Sequence, residues 1–210
     1  MGATEPASQA ASPERDVAVL QGSPPKRADA RRNYDRLVAA AGAVFAERGA
    51  DDVSLEEIAR RAGVGIGTLY RHFPARQALL EAVYKDQVDG LEVLAGKLLA
   101  SESPGAALCE WMRAFVAFGR TKRSLSSALV ASKDSEFMSA CSMILRGCTD
   151  TLLSRAQEAG EARPEVQCPD VMRLAHALIV ATESPADPDQ PERLADLIVS
   201  CVLVPEAARA

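Results

Sequence analysis

Thr68 and His72 stand four residues apart, on one side of a short segment whose other side carries Leu69 and Phe73. Hydroxyl, methyl and imidazole groups placed that way suit base edges and phosphate oxygens. Ile66, at the start of the segment, offers apolar surface to a thymine methyl. Tyr70 carries a hydroxyl suited to phosphate, and Arg76 puts a cation just beyond the segment's end. Covalent chemistry finds little to work with. The chain has two histidines, His72 and His176, no Gly-x-Ser-x-Gly elbow, no metal-spaced His/Glu set and no phosphate loop. Gly63, Gly65 and Gly67 do not make a dinucleotide loop, since no strand precedes them and Tyr70 stands where the third glycine belongs. The expectation is a nucleic-acid-binding protein without catalysis, cofactor or metal. His176 reads as a core or interface residue.

Two short helices must hold these side chains. Ser54 followed by Glu57 is a capping box that opens a helix over 54–62, with Leu55, Ile58, Ala59 and Ala62 as its buried stripe. Gly63-Val64-Gly65 breaks it, a second helix runs over 66–73, and Pro74 ends that one. Two helices across a glycine turn are the pattern of a helix-turn-helix, in which the second lies in the major groove. Ahead of them, Leu37, Ala41, Val44 and Phe45 mark an amphipathic helix that stops at Gly49.

The rest of the chain is helical by its periodicity, with segments at about 76–100, 106–121, 124–131, 135–160, 169–183 and 191–203. The fold class is therefore all-α, with about nine helices. Its expected units are a flexible arm at 1–25, a helix-turn-helix DNA-binding domain at 26–76 and a larger helical domain at 77–210. The arm is rich in Ala, Ser, Pro and Gln, too polar to bury a core. It leads into a basic cluster, Lys26, Arg27, Arg31 and Arg32, which is either a solvated helix start or a contact to phosphate.

Charge follows the same division. Residues 26–76 hold ten Lys or Arg against seven Asp or Glu, while the whole chain carries a net charge of −5. A cationic segment on an anionic body suits a protein that meets phosphate at one place only. No run reaches the ~20 apolar residues of a membrane span, and Met-Gly-Ala-Thr-Glu-Pro is no signal peptide. A cytoplasmic protein is expected. The five cysteines, Cys109, Cys141, Cys148, Cys168 and Cys201, are scattered without a Cys-x-x-Cys pair, as befits reduced thiols. Cys141 and Cys148 share a helix face, but burial explains them more simply than redox sensing does.

Residues 53–64 (VSLEEIARRAGV) and 65–73 (GIGTLYRHF) closely resemble the tetracycline-repressor (TetR) family, and 40–49 (AAGAVFAERG) resembles that family's first helix. The resemblance implies an all-helical Ω-like homodimer that binds a double-stranded operator and is commonly a repressor relieved by a small ligand. By family position Ser54, Ile66, Thr68, Tyr70, His72 and Arg76 fall on DNA-contacting sites. Arg76 stands where lysine is common, and Gln77 replaces a common acidic residue. Beyond about residue 100 the resemblance is confined to helix layout.

In the larger unit, Trp111, Phe115 and Phe118 form one aromatic face, while Phe137, Cys141, Ile144, Leu145 and Cys148 form another. Core packing accounts for most such stripes. A regulator also needs an apolar cavity, so Trp111, Phe115, Phe118, Cys141 and Leu145 are the candidate contacts for a largely apolar effector. The last two helices are apolar enough to need a partner surface. The family resemblance implies a four-helix dimer interface there, with Leu174, Leu178, Leu194 and Ile198 as candidates. The competing reading is an architectural DNA-binding protein without operator specificity.

Overall fold

Helix α1 (Lys26–Arg48) begins about three turns ahead of its first apolar anchor, Leu37. Ion pairs between Arg31 and Asp35 and between Arg32 and Asp29 lie on those turns, and Asp29 faces the positive end of the helix dipole. Tyr34 fixes this end by packing on Phe73, ring centroids 5.1 Å apart. Of the two readings of the basic cluster, helix start is the one the backbone adopts. The computed structural model describes residues 26–50, 53–130, 135–182, 187 and 189–205. The expected arm at 1–25 lies outside them.

Helices α2 (Leu55–Ala62) and α3 (Ile66–His72) follow as the spacing predicts. Ser54 caps α2 by accepting the Glu57 amide at 3.2 Å. The reciprocal half of the capping box is replaced, because the Glu57 carboxylate pairs with Arg48 on α1. Gly63 ends α2 in the left-handed region at φ +64°, a conformation that costs a side-chain-bearing residue energy. A Cβ there would also approach Arg36 Nη2 to 2.5 Å.

Helix α4 (Arg76–Leu98) presents Leu79, Leu80, Val83, Tyr84, Val88, Leu91, Ala95 and Leu98 as one buried stripe. Its first half packs on α1 and the rest against α5 (Pro104–Val130) and α6 (Ser135–Glu158), so one continuous core runs from Leu37 to Val202. Where two helices are expected at 106–121 and 124–131, α5 is a single helix, because Thr121, Lys122 and Arg123 include no helix breaker. The described residues thus form eight helices, with α7 (Cys168–Ala181) and α8 (Gln190–Val202) last. None is long and apolar enough to cross a membrane.

Long-range caps tie the larger unit together. Arg155 donates to the Ser101 carbonyl at 2.5 Å past the end of α4, and Glu161 Oε2 accepts the Gly105 amide at 2.5 Å at the start of α5. Helix α7 packs tightly on α5 at Gly119, where an added Cβ would overlap the Ile179 side chain. Ile179 is β-branched and can yield little. Gly119→Ala should therefore destabilise the protein by about 1–3 kcal/mol, read as a lower melting temperature; an unchanged melt would contradict the packing described.

Candidate nucleic-acid interface and effector pocket

The buried side of α3 is made by Leu69, fully buried, and by Phe73 just past its end. Its outer side shows Ile66 at 38% and Tyr70 at 47% exposure, with Arg71 also exposed and Thr68 half-buried between the two sides. Gly65 and Gly67 have open space where a Cβ would stand, so the backbone at the start of α3 can come close to another surface. The face combines methyls, hydroxyls, bare amides and one guanidinium, which are the groups that meet base edges and phosphate. Arg71 lies on this outward side, which the i, i+4 spacing of Thr68 and His72 does not mark.

His72 is more enclosed than its neighbours. Its ring meets Tyr34 edge-on at 6.0 Å and Phe73 at 6.2 Å, which leaves it half-buried at the junction of α1 and α3. Ser54 is exposed, with its hydroxyl already accepting the Glu57 amide. Arg76 departs furthest from expectation. Nη1 donates to the Val53 carbonyl at 2.6 Å, Nη2 donates to the Ala50 carbonyl, and the guanidinium lies 5.9 Å from the Phe45 ring centroid. A half-buried cation with these partners braces Val53 and Ala50 between α1 and α2, a structural role that the sequence reading did not assign to it.

Two further ion pairs brace the α1–α2 corner. Arg61 grips Glu47 in a bidentate fork at 2.7 and 2.6 Å, and Arg48 holds Glu57. Hydrogen bonding from Arg61 keeps the Glu47 carboxyl below its ordinary range, and Arg48 does the same for Glu57. Both pairs are solvent-exposed and fix orientation more than they add stability. Arg36 Nη2 reaches the Gly63 carbonyl at 3.3 Å and ties the turn to α1 as well.

In the larger unit the structure brings all five effector candidates into one interior cluster. Trp111 and Phe115 stack at 6.3 Å, Phe115 meets Phe118 at 6.3 Å, and Cys141 and Leu145 are buried in the same core. The Trp111 indole donates to Thr149 Oγ1 at 2.9 Å, and that hydroxyl donates onward to the Leu145 carbonyl at 2.8 Å. The cluster also contains Tyr84, which the sequence reading placed only in a stripe; its ring lies 5.4 Å from Phe118 and 5.9 Å from Phe137. Burial, and secondarily the nearby Cys141 thiol, pushes the Tyr84 hydroxyl well above its usual range, so it is a neutral phenol. Burial likewise raises the thiols of Cys148 and Cys168 and keeps them protonated, against a redox role.

The terminal helices require one correction. Leu178 is 4% exposed and belongs to the protomer's own core with Val116, Ala175, Ile179 and Ala195, against which Leu194 and Ile198 also pack. The apolar side chains turned outward are Leu174 at 39%, Val180 at 46% and Leu197 at 61%. The outward side of α7 mixes Leu174 and Val180 with the exposed Arg173 and His176, so the apolar residues of α7 divide between its two sides and periodicity alone does not sort them.

A braced two-helix turn with an open second helix, set on a helical body, defines a helix-turn-helix regulator. The family profile described as "Bacterial regulatory proteins, tetR family" matches residues 37–83, and that of "Transcriptional regulator SbtR-like, C-terminal domain" matches 103–202. A TetR transcriptional regulator from Streptomyces coelicolor is 35% identical, with 81% of this chain and 98% of that one covered at a TM-score of 0.71. A TetR regulatory protein from Mycobacterium vanbaalenii is 37% identical, with 86% and 100% covered at a TM-score of 0.67. An HTH-type transcriptional regulator of Staphylococcus aureus is 38% identical over 63 residues, which span 34% of its length and 30% of this chain. This chain belongs to the TetR family of DNA-binding transcriptional regulators.

Proposed function

We propose that the protein is a cytoplasmic homodimeric repressor, that it occupies a palindromic operator through α3, and that a small, largely apolar effector releases it. The observation that carries the DNA reading is the exposure of Ile66 and Tyr70 on a glycine-flanked helix whose inner side is anchored by Leu69. Ile66 and Tyr70 lie four residues apart and so share one side of α3, where apolar surface and a hydroxyl are offered together to a groove. Ile66 and Thr68 read bases; Tyr70 and Arg71 secure phosphate; His72 and Ser54 act at the rim of the contact. Residues 26–76 do the binding and 77–210 sense and dimerise.

Dimerisation is assigned to the outward faces of α7 and α8 around Leu174, Val180 and Leu197. The effector is assigned to the cluster of Trp111, Phe115, Phe118, Cys141 and Leu145. Helix α4 couples the two activities, since it packs on α1 and also contributes Tyr84 to the aromatic cluster. An effector that favours a shifted α4 changes the separation of the two α3 helices, and by linkage the operator then weakens effector binding equally.

Selection from random-sequence duplexes followed by footprinting tests this reading. A palindrome with half-sites about 34 Å or more apart is expected. Uniform protection without a consensus would instead describe an architectural protein.

A further inference from the structure

Gln87 stands in the interior-facing stripe of α4, between Val83 and Tyr84 on one side and Val88 and Leu91 on the other, all of them buried. Its side-chain Oε1 is shielded from water and has no hydrogen-bond partner. Among the described residues the other such atom in the larger unit is Arg163 Nε, on a side chain that also pairs with Glu165, whereas the polar groups of the aromatic interior are paired, as in the relay from Trp111 through Thr149 to the Leu145 carbonyl. An unmade bond to a buried carbonyl weakens the fold, and leucine at this position would avoid the loss. Gln87 as a whole is half-buried although its stripe neighbours are sealed, so other atoms of the residue reach solvent while Oε1 does not. One turn away, Tyr84 contributes the ring that meets Phe118 and Phe137. An unpaired acceptor beside an aromatic wall lacks one thing, a donor carried on a flat apolar body.

We infer that Gln87 is the hydrogen-bonding anchor of the effector site, and that the effector is a neutral aromatic compound bearing a hydroxyl group. This rests on the effector reading above. The wall calls for a ring, because aromatic surfaces gain from stacked and edge contacts beyond the area they bury. Neutrality fits the lining: Tyr84, Trp111, Phe115, Phe118, Phe137, Cys141 and Leu145 carry no charge, and Lys85, the cation that interacts with Cys141, is already paired with Asp89, so an ion would lose its hydration without compensation. A site built around a buried acceptor also rejects the analogue that lacks the donor, which gives the regulator selectivity among similar rings.

The test uses the full-length protein with para-cresol and para-xylene, two compounds of the same outline that differ by hydroxyl against methyl. The chain has a single tryptophan, so the Trp111 indole N–H gives one resonance that reports occupancy. Both compounds should move it in the wild type. Gln87→Leu should lower the ratio of cresol to xylene affinity by about tenfold, while the ligand-free variant melts no lower than wild type. Gln87→Met, unbranched like glutamine, carries the same comparison if the leucine variant does not fold. If both compounds bind and the ratio is unchanged in the variant, Gln87 is not the anchor, although the pocket reading stands. If neither compound moves the Trp111 resonance, the pocket reading fails and this inference with it.

Discussion

Leu197→Glu is expected to leave the protein monomeric at micromolar concentration in sedimentation velocity, and to weaken operator binding more than a hundredfold. Leu197 is the most exposed of the large apolar residues on α7 and α8, at 61%, so the change adds little strain within the protomer. In a two-fold interface each substitution appears twice, and two carboxylates would be desolvated against apolar surface. A monomer meets one half-site at a time and forgoes the effective concentration that the second recognition helix supplies, commonly a factor of about 10²–10⁴. Leu178→Glu should behave differently. It places a charge among Val116, Ala175 and Ile179, and the helices should melt before dimerisation can be asked about. A Leu197→Glu protein that stays dimeric would move the interface off this face.

Arg76→Ala is expected to lower stability by about 2–4 kcal/mol, since the carbonyls of Val53 and Ala50 each lose a charged donor. For a chain of this size that is a fall in melting temperature of roughly 5–15 °C. The salt dependence of DNA binding should keep its slope, because a guanidinium committed to two carbonyls displaces no counterions. A phosphate contact predicts the opposite pair of results: an ordinary melting curve and a slope reduced by about one unit per subunit.

The two variants mark the limits of what the sequence discloses. The inward side of α3, Leu69 and Phe73, is legible from spacing; its outward side is not, since the spacing points to Thr68 and His72 whereas Ile66, Tyr70 and Arg71 are the exposed residues and Thr68 and His72 are half-buried. The aromatic cluster is legible from spacing as well: Trp111 and Phe115 are one turn apart, and Cys141 and Leu145 are one turn apart on the helix that faces them. Arg76 was not, since its partners lie 23 and 26 residues upstream and periodicity is silent about where a long side chain folds back. Gln87 interrupts an apolar stripe by a single polar residue, a pattern that burial usually forgives; only the unpaired Oε1 gives it meaning. The start of α1 at Lys26 is only one of two readings the sequence allows, because its turns are held by ion pairs and Tyr34 and lack an apolar stripe.

The central claim is that α3 reads the operator. The measurement that tests it is a titration of wild type, Thr68→Ala and Tyr70→Ala against the selected operator and a scrambled duplex, at two salt concentrations. Thr68→Ala should reduce the preference for operator over scrambled DNA by about 1–3 kcal/mol, with affinity for the scrambled duplex unchanged. Tyr70→Ala should weaken both duplexes to a similar degree, as loss of a backbone contact does. Unaltered affinity and unaltered preference in both variants would contradict the claim.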